Sequence, residues 1–345
     1  MDKALNTQIP IFCPCPECEQ YQNQDNKITK DGVYRTKSDP IPRQMLYCHG
    51  GNHRFSETRY SDLFHKQGSF KEYEQAAKMS NYGLSIEQIA DVLSRDVRTV
   101  EPWLTAIANK SKQFHWFICL AMQLNLLYIQ LDEIWSYLVN KGKPLWVFIA
   151  LEAHTKFWIG FELGSRTVYT ANRMILQVKR FGRWSGEPIV KITTDKLAAY
   201  KNALSKHFLD IPYHYLQIVK RRIKRRLVTV KKCFVRGTEK DFPEKTQNTS
   251  FIERFNLTLR QRVSYLARKT LGYCKNKSHF DCLLWINLYD YNYIRFHKSL
   301  REKVTNNSGR FERKYKYYTP AMKMGLTLKP VHWRYLMTTP VPITN

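Results

Sequence analysis

Acidic residues are scarce in this chain: 29 Asp and Glu stand against 56 Lys and Arg, a formal charge of +27 over 345 residues. A surface of that sign attracts polyanions, of which nucleic acid is the commonest. Long apolar runs are lacking too. The most hydrophobic piece, residues 145–151, is strand-sized, well short of the roughly 20 residues a membrane helix needs. The first ten residues, MDKALNTQIP, have no apolar centre of the signal-peptide kind. No internal repeat is present. The eight cysteines form no evenly spaced framework, since four crowd into the first 48 residues and four scatter. These absences lead us to expect a cytoplasmic, nucleoid-associated protein in a reducing compartment, with no membrane partner.

A hydrophobic fraction of 43% is ordinary for a chain that buries a core. The charge is unevenly placed: residues 201–301 hold 23 Lys and Arg against 7 Asp and Glu, which points to a binding surface more than to general solubility. Four segments follow from composition. Residues 1–65 carry Cys and His, 70–125 read as helices, 126–301 alternate strands and helices, and 302–345 form a tail without assignment.

The first segment contains CPCPEC (residues 13–18) and YCHGGNHRF (residues 47–55). Two close pairs of soft ligands separated by a loop suit one structural, tetrahedral Zn²⁺. Cys15 and Cys18 form one pair, with Cys13 as the alternate to Cys15. Cys48 and His53 form the other, with His49 as the alternate to His53. Gly50 and Gly51 permit the tight turn between them.

In residues 83–108, Ser85 is a good N-cap with Gln88 completing a capping box. Ile86, Ile89, Ala90 and Leu93 share one helical face, and Val97, Val100, Leu104 and Ile107 share a second, with a break at Ser94-Arg95-Asp96. Two amphipathic helices so joined form a helix-turn-helix pattern, which puts Arg95, Arg98 and Thr99 at the start of the helix that enters the DNA major groove.

Residues 126–138, LLYIQLDEIWSYL, read as a buried strand containing Asp132. A carboxylate there is costly unless it is paired or binds a metal. Two more strands, at 145–151 and 157–163, make an antiparallel meander with it, and residues 169–181 read as a helix. A fourth strand spans 189–193, with Asp195 just past its end, where sites form in α/β sheets. Glu253 lies on a helix that Asn248 or Ser250 could cap, and there it shares a face with Asn256 and Arg260. The basic run 220–232 precedes this helix.

The order strand Asp, strand-end Asp, helix Glu, within a strand–strand–strand–helix–strand–helix pattern, resembles the ribonuclease-H-like fold of DDE transposases and retroviral integrases. More closely, LDEIW (131–135), TTDKLAAY (193–200) and NTSFIERFNLTLR (248–260) resemble motifs of the insertion-sequence-one family of bacterial transposases. Members of that family also tend to begin with a zinc finger followed by a helix-turn-helix. The likeness covers roughly residues 10–300. One departure is that Gly51 stands where the family often has the second cysteine of a C-x2-C pair, so His53 or His49 must substitute.

The resemblance implies an α/β ribonuclease-H-like catalytic domain over 126–301, preceded by a zinc module over 1–65 and a helix-turn-helix domain over 70–125. It implies catalysis by Asp132, Asp195 and Glu253 holding two Mg²⁺ (or Mn²⁺) ions, which activate the attacking oxygen and stabilise the leaving one. Asp132 would bridge the metals, and Asp195 and Glu253 would hold one each. Asn256 and Arg260 would position phosphate. Lys220, Arg221, Arg222, Lys224, Arg225 and Arg226 would contact the DNA backbone. YNYIRFHKSLR (291–301) resembles the family's closing motif, so His297 either contacts the scissile phosphate or packs at a helix end. Glu133 is expected to be structural or to support the site from behind rather than to act as a fourth acid, Trp135 to pack in the core rather than to stack on a flipped base, and Cys119, Cys233, Cys274 and Cys282 to be free thiols. The partners expected are double-stranded DNA, as element ends and as target, and further copies of the chain in a homodimer or higher oligomer. Two other readings are a structure-selective nuclease or resolvase of the same fold, and a zinc-finger/helix-turn-helix regulator without catalysis.

Overall fold

The computed structural model describes residues 13–341 except 22, 24, 38, 60–62, 185–186, 225, 269–271, 305–314 and 340, and except the side chains of 39, 40, 222, 227 and 245. The chain folds into two compact units, Met1–Ile118 with Ser278–Asn345, and Cys119–Lys277.

The first unit opens with an antiparallel sheet of β1 (Ile28–Thr36), β2 (Asp39–Cys48) and β3 (His53–Ser56) in that order. Its small core gathers Cys13, Leu46, Cys48 and Phe55. Then come α1 (Phe70–Asn81), α2 (Ile86–Val92) and α3 (Val97–Met122). Ser69 with Glu72 caps α1, and Ser85 with Gln88 caps α2 by the reciprocal hydrogen bonds expected from the sequence. Ser94, at φ +50°, makes the turn between α2 and α3. α3 continues far beyond a short second helix because Trp103, Ile107, Phe114 and Ile118 keep one face buried without interruption.

The second unit is built on a six-stranded sheet. It comprises β4 (Tyr128–Tyr137), β5 (Pro144–Glu152), β6 (Trp158–Gly164), α4 (Val168–Phe181), β7 (Val190–Thr194), α5 (Ala198–His207), β8 (Tyr213–Ile223), β9 (Arg226–Arg236) and α6 (Ser250–Arg262). The spatial order is β6-β5-β4-β7-β8-β9. β4, β5 and β6 form the expected antiparallel meander, β7 lies parallel to β4, β8 parallel to β7, and β9 closes the edge antiparallel. The sheet thus contains the expected strand–strand–strand–helix–strand series, with β8 and β9 continuing it to one edge. β4 is nearly continuously buried because helices cover both its faces. Gln130 accepts from Ile252 N at 2.9 Å and donates to Asn248 O at 2.8 Å, which fixes the start of α6 on one face of β4. Glu133, pointing the other way, meets Tyr200 of α5.

The basic run folds as the β8–β9 hairpin. Tyr213–Gln217 pair with β7, whereas Ile218–Ile223 pair only with β9, so the outer part is a two-stranded ribbon.

The last part of the chain forms α7 (Lys277–Tyr289), a π-helical turn over Asp290–Ile294, β10 (His297–Lys303), β11 (Tyr315–Tyr318), α8 (Pro320–Lys323) and α9 (Trp333–Thr338). Residues 278–301, expected with the sheet, instead cluster with the first unit. Aromatic packing accounts for this: Phe114 of α3 meets Tyr289 and Tyr293 edge-on at 5.4 and 5.2 Å, and Trp333 meets Tyr289 at 5.1 Å. The described part of the tail is therefore structured.

Candidate active site

The parallel register of β4 and β7 pairs Gln130 with Thr193, and two residues further on it brings Asp132 alongside Asp195. One carboxylate oxygen from each of Asp132, Glu133 and Asp195 lies within 4.8 Å of the others. Glu253, in the first turn of α6, accepts from Thr249 Oγ1 at 2.5 Å and pairs with Lys220 Nζ. Asp132, Asp195 and Glu253 line one cleft of about 460 Å³ with Lys196, Lys220 and Arg268. The helix start differs from expectation: Thr249 is the N-cap residue, and Asn248 Oδ1 accepts from Ser250 N at 2.9 Å.

Burial, and then the charges of Glu133, Asp195 and Glu253, push the Asp132 carboxyl up to about 7. Asn256 Nδ2 donates to its Oδ2 at 2.7 Å. Glu133 is also raised, by burial and by Asp195, against the pull of Arg166 and Tyr200. Arg166 donates to Glu133 Oε1 from Nε at 2.8 Å and from Nη2 at 2.5 Å, lies 3.9 Å from Asp195 Oδ2 and stacks on Trp146. Carboxylates crowded in this way are hard oxygen donors whose mutual repulsion a divalent cation relieves. Arg260 is half-buried, and burial followed by the neighbouring Arg268 lowers its affinity for a proton.

Residues 125–243 match the family model of the IS1 transposase. The chain is 24% identical over 164 residues to the insertion element IS1 4 protein InsB of Escherichia coli (strain K12), covering 47% of this chain and 75% of that protein. It is likewise 24% identical to the insertion element IS1 protein InsB of Shigella sonnei, covering 47% of this chain and 95% of that one. The chain carries an IS1 transposase domain. Among solved structures, the catalytic core domain of BIV integrase aligns at 14% identity and a TM-score of 0.29, over 50% of this chain and 86% of that one.

Within the transposase domain the matched segment contains Asp132 and Asp195. Glu253 lies beyond its end, joined to them by the shared cleft. Of the basic residues expected to bind DNA, Lys220, Arg221, Lys224 and Arg226 stand on the hairpin, whereas Arg225 and the side chain of Arg222 lie outside the described residues. Arg95 pairs with Glu72 at 2.7 Å and Arg98 with Asp96 at 3.1 Å, and Thr99 N donates to Asp96 O, all in the other unit. His297 also belongs to that unit, its ring against Tyr291 at 4.4 Å, and it opens β10 rather than ending a helix. Trp135 corrects an expectation. It is 43% exposed, not packed in the core, because β4 runs on past the part that pairs with β7. Arg166, Tyr200 and Thr249 escaped sequence reasoning, since no spacing links them to the acids they touch. No helix among the described residues is long and apolar enough to cross a membrane.

A second cluster of ligating groups belongs to the first unit. Cys13, Cys18, Cys48 and His53 converge within 4.8 Å of one another. The alternate Cys13 thus takes the place expected of Cys15, and His49 instead sits 3.0 Å from Thr29 Oγ1. Cys18 Sγ to Cys48 Sγ is 4.0 Å and Cys13 Sγ to His53 Nε2 is 3.4 Å. A tetrahedral zinc with Zn–S about 2.3 Å and Zn–N about 2.0–2.1 Å has S···S edges near ~3.8 Å and S···N edges near ~3.5 Å. His53 Nδ1 reaches Gly51 O at 3.1 Å, which leaves Nε2 for the cluster. Burial pushes the Cys13 thiol up to about 12. Burial acts the same way on Cys48, but Asn26 Nδ2 at 3.0 Å and Gly51 N at 3.2 Å donate to its sulfur and hold it below the ordinary value. A Cβ on Gly51 would meet Cys18 Sγ and the His53 ring, so a larger residue there would require those two side chains to shift.

Proposed function

We propose that the transposase binds the terminal inverted repeats of its own element, cuts the DNA at the element ends and joins them to target DNA. The observation that carries this reading is the single cleft lined by Asp132, Asp195 and Glu253 in an IS1 transposase domain. Two Mg²⁺ or Mn²⁺ ions about 3.5–4 Å apart suit in-line attack on a phosphodiester. Asp132, Asp195 and Glu253 would hold these ions, with Glu253 released from Lys220 to do so, and the ions would activate the attacking oxygen and stabilise the leaving one. Asn256 orients Asp132, and Arg260 faces the phosphate.

The other modules select and hold DNA. Cys13, Cys18, Cys48 and His53 bind one structural Zn²⁺ in the module over 1–65. The helix-turn-helix over 70–125 reads the end sequence, with Arg95 and Arg98 exchanging their carboxylate partners for DNA. The β8–β9 ribbon supplies phosphate contacts. Two element ends must be joined together, so the working form is at least a dimer on DNA.

The test is nicking of a duplex that carries the element's own terminal repeats, with Mg²⁺ or Mn²⁺. Wild type nicks at the repeat end, and Asp132→Ala and Glu253→Ala do not. Nicking by either variant at the wild-type rate would overturn the reading.

A further inference from the structure

Beyond the acid site, β4 carries an aromatic surface that the proposed reaction has not used. Glu133, Trp135 and Tyr137 share one face of β4, spaced about 6.5–7 Å apart along the strand. Trp135 lies 5.3 Å from Tyr137, and Tyr137 stacks on Tyr273 at 6.4 Å with the ring planes 17° apart. Trp135 is 43% exposed and Tyr273 37%. Tyr273 is tied to the end of β4 by Val139 N donating to Cys274 O at 2.8 Å. The stripe lies on the face of β4 opposite Asp132 and runs up to Glu133, whose carboxylate is within 4.8 Å of those of Asp132 and Asp195: Trp135 pairs directly across the sheet with Trp146, on which stacks the Arg166 that binds Glu133.

The exposed charges in the segments that carry the three rings are positive. Lys141, Lys143, Lys275 and Lys277 are exposed beside the stripe, and neither 134–147 nor 272–277 contains an acid. A partner that fits must present flat apolar faces together with negative charge, which a nucleic-acid strand does. A duplex hides its base faces inside the helix and offers only edges and phosphates, so the fitting form is an unpaired strand.

We propose that Trp135, Tyr137 and Tyr273 are a stacking platform for unpaired bases of the DNA strand that enters the acid cleft. This rests on the reading that the cleft acts on DNA. The platform holds one strand away from its complement while the lysines hold its phosphates, which opens the duplex at the point of reaction.

The experiment measures binding of the full-length protein to a fluorescein-labelled thymidine homopolymer and to a duplex of equal length. Trp135→Ala and Tyr273→Ala should each weaken single-strand binding about tenfold while changing duplex binding less than about twofold, and Trp135→Phe should restore it. Ultraviolet cross-linking of a 5-iodouracil homopolymer should label Trp135 or Tyr273, a readout that loss of fold in a variant does not touch. Cross-links mapping elsewhere would overturn the proposal. So would unchanged single-strand affinity in Trp135→Ala, or a Trp135→Ala variant whose main change is its oligomeric state, which would make the stripe a contact between copies. Absence of nicking by wild type sinks the proposed reaction and leaves these binding results to decide the platform separately.

Discussion

Asn256 Nδ2 on α6 donates to Asp132 Oδ2 on β4 across 2.7 Å. The bond orients a carboxylate that burial and three neighbouring acids push up to about 7. Asn256 Oδ1 is buried with no hydrogen-bond partner among the described residues, so truncation removes one good bond and one unsatisfied atom together. Asn256→Ala should therefore change folding stability by no more than about 1.5 kcal/mol. Metal affinity should fall by about ten- to a hundredfold, as when an orienting partner behind a ligand is lost. Calorimetric titration of Mn²⁺ into both proteins checks this, and equal affinities would remove the orienting role.

Glu133 and Arg166 form a pair whose acid is buried and whose base is partly exposed. Arg166→Met should leave Glu133 buried without its main partner and cost about 1–3 kcal/mol, below the full cost of breaking a wholly buried pair because solvent screens the arginine side. Adding Glu133→Gln to that variant should recover most of the loss. Urea unfolding of the two singles and the double measures the coupling, and simple additivity would show the pair to be of no consequence.

The sulfur cluster makes a prediction about stoichiometry. Purified protein should contain one zinc per chain by elemental analysis. Cys13→Ser, Cys18→Ser, Cys48→Ser and His53→Ala should lose it, whereas Cys15→Ser and His49→Ala should keep it. A strong chelator should lower the melting temperature of the wild type and leave that of Cys48→Ser unmoved. Retention of zinc by Cys13→Ser with loss in Cys15→Ser would reverse the assignment.

Burial pushes Lys156 down to about 8, against the opposing charge of Glu152. Its ammonium donates to Ala153 O at 2.6 Å and lies over the Phe251 ring. Between pH about 8 and about 10.4 the unfolded chain holds more protons at this lysine than the folded one, so the stability linked to it rises with pH there and is flat below. The stability of Lys156→Met relative to wild type should therefore be greatest near pH 7 and should decline as the pH approaches 10. Urea midpoints at the two pH values decide this, and a gap that widens with pH would contradict it.

Much of this arrangement is legible in the sequence, because its signals are local. The strand containing Asp132, the strand end at Asp195, the Ser85–Gln88 capping box and the helical face of Glu253 each follow from a few neighbouring residues. What the sequence hides depends on contacts distant along the chain. Arg166 reaches Glu133 only because the turn before α4 folds over β4. Cys13, not Cys15, converges with Cys18, Cys48 and His53, which depends on where β2 and β3 bring the last two. Trp135 looks like core because β4 is rich in aliphatic and aromatic residues, and only the shorter reach of β7 leaves it uncovered. Residues 278–301 leave the sheet for the first unit because their aromatic side chains find Phe114 there, a match invisible to periodicity.

The outer strand β9 has a consequence for handling the protein. It is the last strand of its sheet, and Val228, Val230 and Val235 are exposed on it. An open edge with apolar side chains invites the same edge of another molecule to pair with it, and closely spaced cations are what prevent that. Arg226, Lys231, Lys232 and Arg236 supply those cations. Salt concentrated enough to screen them, or substitutions that remove them, should turn the ribbon into a self-assembling edge. The DNA-free protein is then least soluble under the high-salt conditions usually chosen to strip nucleic acid from a basic protein, and bound polyanion acts as its solubilising partner.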